Sequence, residues 1–163
     1  MTRKGKIISL VVMSFLPQLC CYGCNPASKA ETPINSEPHV TVNVEIDTLI
    51  PDEGGYIFTW DDNDFSLGLA TIELDIMNQL QDEIITSEPY NVQALKNGAW
   101  TDIPLGLAFD LPGLKIAPGS TRVFQCDLHP ENYDYIPGEY RILKEISVYK
   151  KQYTISIRFK LCE

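Results

Sequence analysis

The segment IPGEYRILKEI, Ile136–Ile146, decides the fold of this chain. Its Pro137-Gly138 pair is typical of a type II turn, and the residues that follow are mostly apolar or prone to form strands. We expect a corner here, where a β-sandwich begins its last hairpin and Tyr140 enters the strand. Lys144 falls on the inward phase of that strand. A β-bulge that shifts the register, a place at the sheet margin, or a functional buried lysine would each account for it.

Apolar and polar residues alternate through much of the chain. In residues 40–46, 70–76 and 153–161 every second residue is apolar, which is the pattern of strands with one buried and one solvated face. Asn97-Gly98 predicts a two-residue hairpin turn, and Pro118-Gly119 predicts a type II turn. About seven or eight short strands at this spacing predict an antiparallel β-sandwich.

Three turn-and-core segments follow one another in the second half of the chain: LKNGAWTDIP, LKIAPGSTRVFQCDL and IPGEYRILKEI. Their order and spacing resemble a bacterial immunoglobulin-like domain found in secreted and lipid-anchored surface proteins, closely over residues 69–146 and loosely over residues 40–163. The resemblance implies an all-β, immunoglobulin-like antiparallel β-sandwich with no catalytic residues. It also makes Tyr140 similar to the corner tyrosine of such domains. Residues 48–67 depart from the family, because they are longer than its usual connection between the first two strands.

The N-terminus, MTRKGKIISLVVMSFLPQLCCYGC, has three basic residues followed by a mostly apolar run over residues 7–16. This is the pattern of a signal peptide, and the run is about half the ~20 residues that a membrane-spanning helix needs. Cys24 after Gly23 resembles a bacterial lipoprotein cleavage site, although Cys21 stands where that motif usually has Leu. The sequence therefore predicts a lipoprotein signal peptide over residues 1–23 and lipidation of Cys24.

Ordinary signal cleavage after residues 28–30, Ser-Lys-Ala, is the alternative, and it would release a soluble secreted protein. Residues 24–39 are rich in proline and poor in apolar residues, so we expect a lipidated cysteine and a flexible tether. Residues 40–163 would then form the domain. A lipid on Cys24 predicts attachment to a membrane of the bacterial cell envelope, outside the cytoplasm and most simply at the outer membrane.

The charge is acidic and unevenly distributed. The whole chain has a net charge of −9, and because residues 1–23 hold three basic and no acidic residues, their removal leaves −12. This strongly acidic net charge argues against a nucleic-acid partner, because the phosphates of a nucleic acid require a basic surface. The C-terminal residues 139–163 are instead basic. We expect their Lys and Arg side chains to be solvated and to discourage edge pairing, with a partner-binding patch as the alternative.

An aromatic segment, YIFTWDDNDF at residues 56–65, offers a candidate binding site. Tyr56, Trp60 and Phe65 are interleaved with aspartates, and aromatic faces beside carboxylates are typical of carbohydrate-binding surfaces. The alternative is an extra strand in which Tyr56, Phe58 and Trp60 share one packed face.

Two cysteines, Cys126 and Cys162, remain once the N-terminal residues are set aside. An exported protein permits a disulfide between them. The alternation places Cys126 inward and Cys162 outward, however, so two independent thiols are the alternative.

Catalytic and metal-binding patterns are weak in this sequence. His39 and His129 do not have the spacing of metal ligands, and no Gly-rich phosphate loop or nucleophile elbow is present. We therefore expect no enzyme activity, no cofactor and no metal.

The predicted function is that of a cell-envelope lipoprotein acting as an adhesion or protein-interaction module. Its partners would be the membrane, through the lipid, and an envelope protein or glycan. A carbohydrate-binding module and an exported protease inhibitor are the alternative functions.

Overall fold

The structure is a computed structural model that describes residues 38–106, 108 and 113–163, without the side chains of residues 62 and 63. The predicted signal peptide 1–23, the lipidation site Cys24 and the tether up to residue 37 lie outside the described residues. Across the described part, the strands are β1 His39–Ile46, β2 Tyr56–Ser66, β3 Thr71–Asn78, β4 Ile84–Thr86, β5 Asn91–Lys96, β6 Ala99–Asp102, β7 Leu114–Ile116, β8 Thr121–Asp127, β9 Gly138–Val148 and β10 Lys151–Cys162. In that same part, no helix long and apolar enough to cross a membrane is found.

The strands form two sheets, so the predicted all-β sandwich is confirmed with more strands than expected. The smaller sheet has the order β1-β3-β8, and the larger sheet has the order β2-β10-β9-β4-β7. Strand β5 also pairs with β9 and carries β6 on its other side. Most pairs are antiparallel as predicted, but β1 runs parallel to β3 and β2 runs parallel to β10.

The core lies on the inner faces of the strands and is built by the alternation that the sequence shows. Val42, Val44 and Ile46 of β1 are at most 1% exposed. The apolar phases of β3 and β10 are buried in the same cluster. Each such side chain stabilises the fold by about 1.5–3 kcal/mol relative to an exposed position. The two sheets are therefore held by one continuous apolar layer.

The predicted corner is confirmed around Tyr140. Its hydroxyl donates to the Ile136 carbonyl oxygen at 2.7 Å and accepts from the Ile136 amide at 3.2 Å. Its ring packs against Phe159 and Tyr135. The predicted type II turn at Pro137-Gly138 is wrong, since Gly138 is the first residue of β9 and has no positive φ.

Two other turns follow the prediction. Asn97 and Gly98 both have positive φ, 53° and 79°, and join β5 to β6 as a type I′ turn requires. Gly119 has a φ of 71°, which fits the third position of a type II turn. A further turn was not predicted: Tyr149 and Lys150 join β9 to β10 with φ of 51° and 65°. Neither residue type signals a left-handed turn.

Lys144 points into the core, and the bulge proposed for it is absent. Strand β9 keeps a regular register with β10, in which Lys144 lies opposite Ile155. The ammonium group donates to the Ser87 carbonyl oxygen at 2.6 Å and lies 4.0 Å from the centre of the Phe124 ring. Lys144 thus holds the segment before β5 against β9, which is a structural role for a fully buried cation.

Candidate functional site

The aromatic segment of β2 does not present one surface, because two irregularities in its pairing with β10 change which face its residues occupy. Between Tyr56 and Phe58 the partner strand advances by only one residue, from Thr154 to Ile155. This register shift puts Tyr56 on the outer face of the sheet and Phe58 on the inner face. The prediction that Tyr56, Phe58 and Trp60 share a face is therefore wrong for Tyr56.

The second irregularity brings Trp60 and Phe65 to the same inner face although they are an odd number of residues apart. They pair with Ile157 and Leu161, both core residues of β10. Their rings stack with centroids 6.3 Å apart, and Phe65 continues onto Phe159 at 6.1 Å. Tyr56, Trp60 and Phe65 are thus not brought together, and two of the three rings pack against the core.

The two cysteines lie in different sheets. Cys126 is buried in β8 opposite Ile72, whereas Cys162 ends β10 opposite Ser66. Both are free thiols, so the disulfide considered from the sequence is not formed. Burial raises the pKa of the Cys126 thiol to about 12, which makes it an unreactive core residue at neutral pH. As for metals, no group of three or more His, Cys, Asp and Glu able to hold an ion occurs in the described part of the chain.

A row of polar residues crosses the outer face of the larger sheet, with one residue from each of five adjacent strands. The pairings run from β6 through β5, β9 and β10 to β2. We call this set the arginine row: Asp102, Gln93, Arg141, Arg158 and Asp61. Because directly paired residues share a face of a sheet, all five side chains lie on the same outer surface.

Hydrogen bonds fix one half of the arginine row. Gln93 donates from Nε2 to Oδ1 of Asp102 at 2.8 Å, and its Oε1 accepts from Nε of Arg141 at 2.7 Å. The amide of Gln93 therefore connects Asp102 to Arg141 without placing the carboxylate directly against the guanidinium.

Two aromatic rings flank Arg141 on the same surface. The guanidinium carbon lies 4.3 Å from the ring centre of Trp100 and 5.3 Å from that of Tyr56. Trp100 comes from β6, on one side of β9, and Tyr56 comes from β2, on the other side. Asp52 holds Tyr56 in place, since its carboxylate accepts from the Tyr56 amide at 2.9 Å. Cation–π contacts of this kind contribute about 0.5–2 kcal/mol each.

The second half of the arginine row has fewer hydrogen bonds. Arg158 lies directly opposite Arg141 across the β9–β10 pair. It forms an ion pair with Asp61, whose Oδ1 is 3.6 Å from the Arg158 Nε. This distance is too long for a hydrogen bond, and the covered Nε has no hydrogen-bond partner. The side chain as a whole remains 41% exposed.

The pKa of Arg141 is affected by the second cation beside it in the arginine row. Burial, with a further contribution from the positive charge of Arg158, lowers the pKa of Arg141 below its ordinary value. Tyr56 and Asp102 act in the opposite direction. Arginine stays charged at physiological pH, so the outer face carries two neighbouring positive charges on a strongly acidic molecule.

Sequence reasoning missed this surface, although a signal for it exists. Arg141 and Arg158 are equidistant from the Tyr149-Lys150 turn, so a two-residue hairpin there would have paired them. The alternation predicted that both point outward. The step that failed was the turn, because Tyr and Lys rarely adopt positive φ.

A family model described as "Bacterial Ig-like domain" matches residues 52–160. Searches of curated proteins and of solved structures found no match.

Proposed function

The chain belongs to the family of bacterial Ig-like domains, and we propose that it is a non-catalytic lipoprotein of the bacterial cell envelope whose domain is a protein-interaction module. The domain would bind its partner through the outer face of the larger sheet. Adhesion is the case in which that partner belongs to another cell or to a host surface. The signal-like residues 1–23 and Cys24 support the envelope location.

One observation carries the proposed binding surface: on an outer sheet face, the half-buried rings of Trp100 and Tyr56 stack on Arg141, which is 8% exposed between them. Trp, Tyr and Arg are the residue types that contribute most to protein–protein binding. Here they are held by the sheet and by hydrogen bonds before any partner arrives. Such preorganisation lowers the entropic cost of association.

The carbohydrate-binding alternative has less support than the interaction module. It relied on Tyr56, Trp60 and Phe65 acting together, and the rings of Trp60 and Phe65 are packed on the core side of β2. The protease-inhibitor alternative stays a prediction.

Affinity capture from an envelope extract tests the proposed function. The baits are the full chain, the same chain with Trp100→Ala, and a control with Val123→Ala. Val123 is 52% exposed on β8, in the other sheet. We expect an envelope protein to be recovered by the unchanged and Val123→Ala chains and lost with Trp100→Ala. Equal recovery by all three folded baits would place the binding surface elsewhere.

A further inference from the structure

The arginine row has a specific chemistry that the proposed interaction module does not by itself require. We propose that Arg158, with the buried Arg141 beside it, forms a receptor for a carboxylate side chain in an acidic segment of the partner protein. This inference rests on the proposed function, since it names the kind of partner that the outer face takes.

The first argument is the repulsion between the two guanidinium groups. Arg141 and Arg158 are directly opposite on neighbouring strands, and like charges in such positions destabilise a sheet. Positions opposite each other are normally occupied by opposite or neutral partners. Arg141 is only 8% exposed, so a carboxylate would contact the more exposed Arg158 and would offset the repulsion between the two cations.

The second argument is that the domain's own carboxylates satisfy the pair incompletely. Asp102 is bonded to Gln93, and Asp61 stands 3.6 Å from the Arg158 Nε without a hydrogen bond. That nitrogen is covered and has no partner, and a buried unpaired donor costs about 1–3 kcal/mol. The Nε itself is shielded from a ligand, but the Arg158 side chain is 41% exposed. The exposed part of its planar guanidinium is suited to bind a carboxylate.

The third argument favours a protein ligand over an acidic glycan. Sugar recognition by aromatic residues uses the open face of a ring, and Trp100 and Tyr56 are instead stacked on Arg141. Arg158 also approaches Trp100, with its guanidinium carbon 5.9 Å from the ring centre. The surface thus presents guanidinium groups that pack against aromatic rings. An acidic peptide, with carboxylates on an extended backbone, fits the flat face of the sheet.

Trp100 provides the readout for a direct test. In a full chain with Trp60→Phe, Trp100 is the sole tryptophan, and its fluorescence reports on the guanidinium stacked over it. The probe is a capped twelve-residue peptide of alternating Glu and Ala. The same peptide with Gln in place of Glu is the neutral control, and an oligogalacturonate of matched charge is the glycan control.

Two variants test whether peptide binding depends on the arginine row or only on the net charge of the domain. Arg158→Gln removes one cation of the row, and Arg122→Gln makes the same charge change on β8, in the smaller sheet. We expect the Glu peptide to bind saturably and its affinity to fall at least tenfold with Arg158→Gln. The affinity should change less than twofold with Arg122→Gln. High salt should weaken binding, and both variants should keep the melting temperature of the parent within a few degrees.

Several results would overturn the inference. The two Arg→Gln changes could weaken binding equally, or the Gln peptide could bind as well as the Glu peptide. The oligogalacturonate could bind in place of the Glu peptide. Finally, the chain could bind no peptide and instead self-associate in a way that Arg158→Gln abolishes. If the Glu peptide fails while capture of an envelope protein still depends on Trp100, the carboxylate receptor is wrong and the proposed function stands. If capture is also independent of Trp100, both fail together.

Discussion

A buried lysine shows most clearly how a single residue departs from its ordinary chemistry in this fold. Lys144 lies between the Ser87 carbonyl and the ring of Phe124, and burial lowers its pKa from 10.5 to about 8. Between those values the unfolded chain holds the proton that the folded chain releases. The stability of the fold therefore rises with pH across this window and is lowest, for this group, at pH values below about 8.

The first prediction follows from that sign. Between pH 7 and 9 the free energy of unfolding should rise more steeply in the unchanged chain than in Lys144→Met, where no proton is released. The comparison stops at pH 9, since above 9.0 the unfolded Cys126 ionises while burial keeps the folded thiol protonated, and this lowers stability. Urea unfolding at pH 7, 8 and 9 measures the slopes. Equal slopes would show that Lys144 does not titrate in this range.

The second prediction concerns the corner hydroxyl. Tyr140→Phe removes the donor to the Ile136 carbonyl and the acceptor for its amide, so the free energy of unfolding should fall by about 1–2 kcal/mol. Tyr153→Phe, which removes a hydroxyl from β10, should change it by less than about 0.5 kcal/mol. Denaturant unfolding of the two variants measures these changes. A similar loss of unfolding free energy in both would mean that the hydrogen bonds of the Tyr140 hydroxyl do not stabilise the corner.

At the scale of elements, the β9–β10 hairpin has a turn that its residues do not favour. Tyr149 and Lys150 both have positive φ, a region that costs a residue with a Cβ atom roughly 1–2 kcal/mol. The length and core contacts of the two strands hold the turn in this conformation. The hairpin is nevertheless what places Arg141 opposite Arg158.

The third prediction uses this strain. Lys150→Gly should raise the free energy of unfolding by about 1 kcal/mol, because glycine adopts positive φ without a steric penalty. Lys151→Gly, one residue later and inside β10, should lower it by a similar amount. Thermal unfolding of both variants provides the measurement, and a loss of stability in Lys150→Gly would contradict the assigned turn.

The alternation of apolar and polar residues predicted most strands, whereas the site could be found only from the register between strands. Alternation alone identified the buried faces of β1, β3 and β10. It could not predict the two irregularities of β2, because a bulge depends on the partner strand rather than on local composition. Tyr56 was therefore assigned to the wrong face. The basic C-terminal residues were interpreted as solvated, and their pairing into a row became visible only with the register of five strands.

At the scale of the whole molecule, the position of charge and the predicted anchor define how the protein would act. The chain is strongly acidic, while two guanidinium groups lie in the middle of one outer sheet face. A lipid at Cys24 would tether the domain to the envelope through a proline-rich segment. The domain would then present its sheet face to partners near the membrane.

The fourth prediction addresses the anchor. In the bacterial host, Cys24→Ser should abolish incorporation of labelled palmitate and move the chain from the membrane fraction to the soluble fraction, since serine provides no thiol for the lipid. Cys21→Ser should leave both properties unchanged. Labelling that persists in Cys24→Ser would show that the lipid is attached elsewhere or that the chain is not lipidated.

The central claim is that the outer face of the larger sheet is where a partner protein binds, and photo-cross-linking in living cells tests it most directly. A photoreactive residue is placed at Lys160, exposed on the outward phase of β10, or at Val123 on β8 as the control. We predict a discrete protein adduct from position 160 that Trp100→Ala abolishes, and no adduct from position 123. An adduct from position 123 alone, or one from position 160 that survives Trp100→Ala, would contradict the account.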